Sequence, residues 1–484
     1  MNEVAIGTRT LDRFVPVVGR DHVDGAALLA ETFRARLDGR TVWNVNSTAA
    51  GGGVAEMLPS LLAYARGAGC DARWIVIEGD PAFFQVTKRL HHALHASAGD
   101  RSALDAAAHE AYAATTTRNL PTVLATVRPR DVVVLHDPQT AGLAPHLMDA
   151  GALVVWRSHI GSDPAHPEVV GGWRFLYPYL RAVPHFVFTR QGYVPDYCAG
   201  RTTIITPSID AFSVKNQDLD PAVVGAILAR IGLVDAPPSE RAPAFTRLDG
   251  TTGTVARPAE VVRLAGPAPW NARLVVQVSR WDPLKDPIGV LNGFIDLASS
   301  GAADDAVLML VGPDVSAVTD DPEGALVFRA VVDAWRALPR ALQARVHLVS
   351  LPMDDVEENA AMVNAIQRHA TVIVQKSLQE GFGLTVTEAM WKGRAIVASA
   401  VGGIQDQIDD GVHGLLLADP TDRSAFHAAL RRLLEYPAYA ERLGANARAR
   451  VRERFLGLDH LVKYARLIER LDAAPATTSI RRIA

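Results

Sequence analysis

The sequence predicts an α/β fold of two Rossmann-like, doubly wound domains. Three observations carry this reading: short β-branched apolar runs alternate with helical patterns, the alternation breaks once, between about 210 and 268, and glycine turns stand where strand patterns give way to helices.

The elements follow in order. A helical pattern runs through Ala26-Ala27-Leu28-Leu29-Ala30-Glu31-Thr32-Phe33 and ends near Gly39. Strands are expected at Thr41–Asn46, Ala72–Ile77, Asp131–Leu135, Ala152–Trp156 and His185–Thr189, each short enough and apolar enough to be buried on both faces. After the first of them, Val54, Met57, Leu58, Leu61, Leu62 and Ala65 repeat at helical spacing. A helix therefore begins near Gly52 or Gly53, and Pro59 is expected to kink it. The region from 210 to 268, with Pro237-Pro238, Gly250 and Gly253, reads as an interdomain linker with an inserted surface loop. Strands resume at Arg273–Val278, Ala306–Val311, Val346–Ser350, Val372–Gln375 and Ala395–Ala398. The last 60 residues read as helical, with Ala428, Leu430, Leu433 and Leu434 on one stripe.

Bulk properties set limits. At 484 residues and 49% hydrophobic, the chain can build two ordinary domains with large cores. A formal charge of −4 gives no electrostatic case for nucleic acid. Cys70 and Cys198 form neither a disulfide framework nor a zinc pattern, which fits a reducing compartment. The N-terminus lacks a signal-peptide pattern, and no run of about 18 apolar residues offers a membrane span. A cytoplasmic protein is the expectation.

The chemistry-bearing residues gather at expected strand ends. Glu380-Gly381-Phe382-Gly383-Leu384-Thr385-Val386-Thr387-Glu388 reads as strand end, tight glycine turn and a short helix, Leu384 to Lys392, stopped by Gly393. Exposed amides at such a helix start attract phosphate, and the two glutamates suit sugar hydroxyls. Arg280 and Lys285 follow the strand Arg273–Val278, and two cations on one loop suit a diphosphate as well as they suit a plain surface cluster. Gly51-Gly52-Gly53 precedes a helix and is either a flexible turn or a second anion site. His136-Asp137 and Arg157-Ser158-His159 stand after two N-terminal strands, where a histidine either caps the fold or meets a sugar. His347 and the loop Leu351–Asp355 are expected to wall a nucleotide base. Asp218-Leu219-Asp220 is a DxD triplet without strand context, so no metal is expected.

The stretch from Gln375 to Trp391 resembles the donor-site motif of retaining GT-B glycosyltransferases of the sucrose and glycogen synthase type (GT4). It is especially similar to the trehalose glycosyltransferring synthases, which join nucleotide-activated glucose to free glucose. Fungal-type retaining trehalose phosphorylases lie in the same neighbourhood. The segment Asn44 to Leu58, the His-Asp-Pro at 136–138 and the Trp-Arg-x-His at 156–159 extend the resemblance.

The resemblance implies a GT-B arrangement, two Rossmann-like domains facing a cleft. The division expected is 1–212 as acceptor domain, 213–267 as linker and inserted loop, 268–455 as donor domain, and 456–484 as a terminal helix packing back on the first domain. The implied reaction moves glucose from a nucleoside diphosphate glucose to glucose, giving trehalose. A phosphorylase using glucose 1-phosphate, another acceptor, and a pseudo-glycosyltransferase stay open. Arg280, Lys285, Glu380 and His136 take the implied catalytic roles. Gly52, Gly53, Gly381, Phe382, Gly383, Leu384, Thr385 and Glu388 join Arg280 and Lys285 around the donor, Glu388 on its ribose. Asn46, Asp137, Arg157 and His159 shape the acceptor pocket. The partners implied are a sugar and a sugar nucleotide as co-substrate, with no tightly bound cofactor, and a homodimer stays open.

Overall fold

The computed structural model describes residues 2–49, 53–162, 165–301, 303–315 and 322–473. It divides into two compact units, Met1–Ser208 with Phe455–Ala484, and Ile209–Arg454. Each is a parallel sheet layered with helices, and together they make the GT-B fold.

In the first unit seven strands are ordered β1-β3-β2-β4-β5-β6-β7. They are β1 (Asn2–Val4), β2 (Val42–Asn46), β3 (Ala72–Val76), β4 (Val132–His136), β5 (Leu153–Ser158), β6 (His185–Phe188) and β7 (Thr202–Ile204). All pairings are parallel except that of β1 with β3. The alternation of side chains along each strand sorts the core into two layers. Trp43 and Val45 join Val133, Leu135, Trp156 and Phe186 under the helices Pro81–Leu94 and Pro167–Leu180. Val42 and Val132 turn to the other face and meet Phe33, Leu37, Ala465 and Ile468, from the helices Arg20–Leu37 and Gly457–Ala473. The terminal helix thus completes the unit that the chain left at Ser208.

In the second unit the order is β11-β15-β14-β13-β16-β17-β18. β13 (Arg273–Val278), β14 (Ala306–Pro313), β15 (Val346–Leu351), β16 (Val372–Gln375), β17 (Ala395–Ser399) and β18 (Leu415–Leu417) are all parallel. In each sheet the order reverses once, between β2 and β4 in the first and between β13 and β16 in the second. Successive connections leave to opposite sides there, and the carboxyl ends of the two neighbouring strands border a crevice, the usual ligand position in open α/β sheets.

The segment expected to be linker and surface loop is instead structured, and it belongs to the second unit. It contains the helix Pro221–Arg230, the parallel pair β8 (Val234–Asp235) and β12 (Ala268–Pro269), and the hairpin β9 (Ala244–Thr246) and β10 (Thr252–Thr254). β11 (Glu260–Val262) adds antiparallel to β15 and extends the sheet. Charge holds the hairpin in place: Arg247 meets Asp355 at 2.6 Å and Glu357 at 2.9 Å. Those partners open the helix Val356–His369, where carboxylates complement the helix dipole. The proline and glycine content that suggested a loop marks the turns between these short strands.

Gly444, in the helix Pro437–Arg454, lies so close to the turn after the helix Leu384–Trp391 that an added Cβ would stand 2.1 Å from the carbonyl oxygen of Gly393. Gly444→Ala is therefore expected to cost about 1–3 kcal/mol of stability in urea titrations, as overpacked sites do. An unchanged midpoint would show that the turn gives way without cost.

Candidate active site

At the switch point of the second unit, two loops leave the carboxyl ends of β13 and β16 side by side. In the first loop Asp282 accepts from the Leu284 amide at 2.8 Å and caps the single turn Pro283–Lys285. The Gln277 side chain donates to the Lys285 carbonyl at 2.7 Å. The Leu378 amide donates to the Leu284 carbonyl at 2.8 Å, which ties the first loop to the second. The result is a direct ion pair between Lys285 Nζ and a Glu380 carboxylate oxygen, both side chains largely buried. A second pair joins Lys376, which is wholly buried, to Asp286. Arg280 shares the loop with Lys285; its side chain is 66% exposed and meets Asp282 at 3.1 Å.

The glycine turn is shaped as its sequence requires. Gly383 has φ +85°, a conformation glycine adopts without penalty, and caps the helix Leu384–Trp391. The Gly381 carbonyl accepts from the Gly403 amide at 2.9 Å. The Gln407 side-chain amide donates to the Phe382 carbonyl at 2.5 Å, and Phe382 itself is buried. Leu384 and Thr385 are partly exposed at the start of that helix, ahead of Val386, whose amide donates to the Gly383 carbonyl at 2.9 Å. Backbone donors that share these loops with a lysine and an arginine suit a polyanion.

Glu388 is 5% exposed and stands 3.6 Å from Lys215 Nζ. Lys392 lies behind, donating to Asn216 Oδ1 at 2.7 Å. Burial pulls the Lys392 ammonium down to about 7, against the attraction of Glu388. Lys215 and Asn216 escaped the sequence reading because they lie in the supposed linker. The Lys-Asn pair ahead of the helix Pro221–Arg230 was their only local trace.

His347 is corrected. It is the second residue of β15, at the amino end of the strand, and it is buried there, its basicity lowered by burial to about 4. The loop that follows does sit at the carboxyl end, and Asp355 in it caps the helix Val356–His369. The DxD triplet has structural duties: Asp220 caps the helix Pro221–Arg230, and Asp218 pairs with Arg368 at 3.0 Å. Among the described residues no cluster of His, Cys, Asp and Glu is arranged to hold a metal ion.

At the switch point of the first unit, Asn44, His136 and Arg157 lie on one face of three neighbouring strands, the face covered by the terminal helix. Parity explains the placement: His136 follows Val132 and Val134 along β4, and Arg157 follows Val155 along β5. Arg157 was expected to line the sugar pocket, but it is wholly buried. It donates to Tyr464 Oη at 2.6 Å and to the Ile205 carbonyl at 3.2 Å. His136, 2% exposed, is bonded through both ring nitrogens, to His159 at 2.9 Å and to Asn44 at 3.0 Å. Asn46 is likewise buried, accepting from the Trp74 indole at 2.8 Å. Asp137 and His159 are the partly exposed members. Asp137 has a positive φ of 62° and accepts from the His159 amide at 2.7 Å. Gly53 opens the helix Gly53–Gly67, which continues through Pro59, whereas Gly52 lies outside the described residues. Beneath the polar row is an apolar cavity of about 100 Å³, walled by Phe33, Leu58, Leu62 and Ile468 and ending at Asn44, His136 and Tyr464.

Residues 44–195 match the family model described as trehalose synthase, N-terminal domain, and residues 267–450 match that of glycosyl transferases group 1. The trehalose synthase of Pyrococcus horikoshii is 32% identical over 97% of this chain and 99% of its own. The chain belongs to the trehalose synthase family. It is accordingly a glycosyltransferase of group 1 related to trehalose chemistry. A trehalose phosphorylase of Pleurotus pulmonarius is 26% identical over 84% of this chain and 54% of that one. Among solved structures, an α,α-trehalose-phosphate synthase (UDP-forming) from Burkholderia vietnamiensis superposes with a TM-score of 0.64 at 14% identity, covering 89% of this chain and 98% of that one.

Burial raises the Asp137 carboxyl from 3.8 to about 7, partly opposed by the His159 amide and by Arg157. A raised carboxyl lends stability that is complete below its unfolded pKa and lost as pH climbs through the folded one. Relative to Asp137→Asn, the wild type is therefore expected to lose stability between pH 3.8 and about 7, read as denaturation midpoints across that range. Parallel curves for the two proteins would refute the upward shift of this carboxyl.

Proposed function

We propose that this glycosyltransferase moves glucose, with retention, from a nucleoside diphosphate glucose to free glucose, forming trehalose. The observation that carries this reading is the Lys285–Glu380 pair at the switch point of the second unit. It joins the cation expected on the leaving diphosphate to the carboxylate expected beside the hexose. An arriving diphosphate would compete with Glu380 for the ammonium and release the carboxylate toward the sugar hydroxyls. Breaking the anomeric C–O bond sends negative charge to the diphosphate. Arg280, Lys285 and the first amides of the helix Leu384–Trp391 are fixed donors for that charge, the usual main source of rate enhancement. These groups meet the charge that a divalent ion would otherwise meet, so a chelator is expected to leave the rate unchanged. Glu388, buried beside Lys215, is suited to accept both hydroxyls of a ribose as a fixed carboxylate. The first unit would hold the acceptor.

The phosphorylase reading has one finding on its side, the similarity to the Pleurotus enzyme. It leaves Glu388 and Lys215 without a ribose to bind. Separate incubations with glucose 1-phosphate and with ADP-, UDP- and GDP-glucose, each plus glucose, decide the matter. Trehalose from a nucleotide donor supports the proposal, and trehalose with released phosphate from glucose 1-phosphate alone removes it.

Lys285→Ala is expected to lower kcat by about a hundredfold, as loss of one preorganised charge partner does. Arg280→Ala should act in the same direction with little change in melting, because the side chain is exposed. Wild-type rates in both variants would end the leaving-group assignment. Glu388→Ala should weaken nucleotide binding about tenfold in calorimetry, the scale of hydrogen bonds to a charged group, and unchanged affinity would count against the ribose contact.

A further inference from the structure

Arg157 is a guanidinium at zero exposure whose hydrogen-bond partners are all neutral: a phenol, a peptide carbonyl and two imidazoles. Holding a buried cation this way costs stability that an apolar residue would not. What the cation does there follows from its chemistry. Arginine only donates. Its Nε donates to His159 Nδ1 at 3.3 Å, so that nitrogen accepts and the His159 proton sits on Nε2. His159 Nε2–H then faces His136 Nδ1 at 2.9 Å, which must accept. The His136 proton is thereby placed on Nε2, where it meets Asn44 Oδ1 at 3.0 Å. In the other direction Arg157 Nη1 faces His460 Nε2 at 3.4 Å, and His460 Nδ1 donates to Ser208 Oγ at 3.1 Å. The chain of donors runs one way from a single source. The source is clamped by Tyr464, whose ring lies 5.5 Å from the guanidinium carbon and whose hydroxyl accepts from Nη1 at 2.6 Å.

We propose that Arg157, with Tyr464 and His460 of the terminal helix, positions the sugar pocket of the first unit by fixing His159 and His136 as Nε2–H tautomers. Each ring nitrogen of the pair is then committed inside the protein, and the side chain offered to a sugar hydroxyl is the Asp137 carboxylate. That carboxylate is anchored by the backbone amide of His159 at 2.7 Å, so it is held next to the ring whose tautomer Arg157 fixes. The same charge explains why His136 stays neutral: burial first, and Arg157 next, lower its basicity to about 3. The functional part of the proposal, that this pocket receives the acceptor glucose, rests on the reading given above; the tautomers do not.

The test uses the full-length protein with histidines selectively labelled with ¹⁵N, assigned through His136→Gln and His159→Gln. Two-bond ¹H–¹⁵N spectra report which ring nitrogen carries each proton. The expected result is Nε2–H for His136 and His159 and Nδ1–H for His460. In Arg157→Met the His159 and His136 signals should shift to mixed tautomers. In Tyr464→Phe, which keeps the ring, acceptor KM should rise about tenfold while donor affinity stays within about twofold, the scale of one charged hydrogen bond. Arg466→Ala, on the exposed side of the same helix, should match wild type. Wild-type protein with His159 protonated on Nδ1 overturns the proposal, and so does a Tyr464→Phe variant with unchanged ring signals. If no donor and glucose combination gives product in wild type, the functional reading fails, and the spectra still decide the tautomers. Should Arg157→Met not fold, Tyr464→Phe alone carries both measurements.

Discussion

Both candidate sites depend on one constraint of parallel sheets. Where strand order reverses, connections on the two sides lead away from each other, and the carboxyl ends of two neighbouring strands border a gap. In one unit those strands are β2 and β4, ending at Asn46 and His136; in the other they are β13 and β16, ending at Val278 and Gln375. Asn44, Asn46, His136 and Asp137 lie at the first place and Arg280, Lys285 and Glu380 at the second, while Arg157 and His159 come from the neighbouring β5 and Glu388 from the helix after the glycine turn. The remainder of each unit serves to hold those ends still. The apolar strand interiors leave no freedom of register, and the caps at Asp282, Asp286 and Gly383 fix the directions in which the loops depart.

Much of this architecture was legible in the chain. The buried strands declared themselves by short runs such as Val372-Ile373-Val374, and the turn at Gly383 by a glycine that only a positive φ explains. The proximity of Lys285 and Glu380 was also accessible, since both follow strands that parallel pairing makes neighbours. The short edge strands β1, β7, β11 and β18 were not recognised. Three or four residues carry too little periodicity, and what keeps them extended is the adjoining strand rather than their own preference.

The first-unit site was legible only in part. His136, Asp137, Arg157 and His159 were found, but their division into exposed and buried members was not. That division comes from strand parity together with a helix some 300 residues further on, as the separation of 307 between Arg157 and Tyr464 shows. No local pattern links residues so far apart. Lys215 was hidden for a related reason: it gains meaning only from Glu388, which tertiary packing brings to it. The segment 213–267 misled because short strands joined by turns share the composition of loops, and its stabilising contacts are ion pairs such as Arg247 with Asp355.

The excursion of the chain has a consequence for biosynthesis. The backbone departs from the first unit at Ser208 and comes back at Phe455, with the whole second unit made in between. While a ribosome is still translating that stretch, Val42 and Val132 can meet Phe33 and Leu37 but not Ala465 and Ile468, and Arg157 has neither phenol nor imidazole from the helix Gly457–Ala473. Until the helix Gly457–Ala473 is made, that apolar face is only partly covered and the guanidinium lacks two of its partners. The covering of that face therefore waits on the helix Gly457–Ala473, which is made only after the whole second unit.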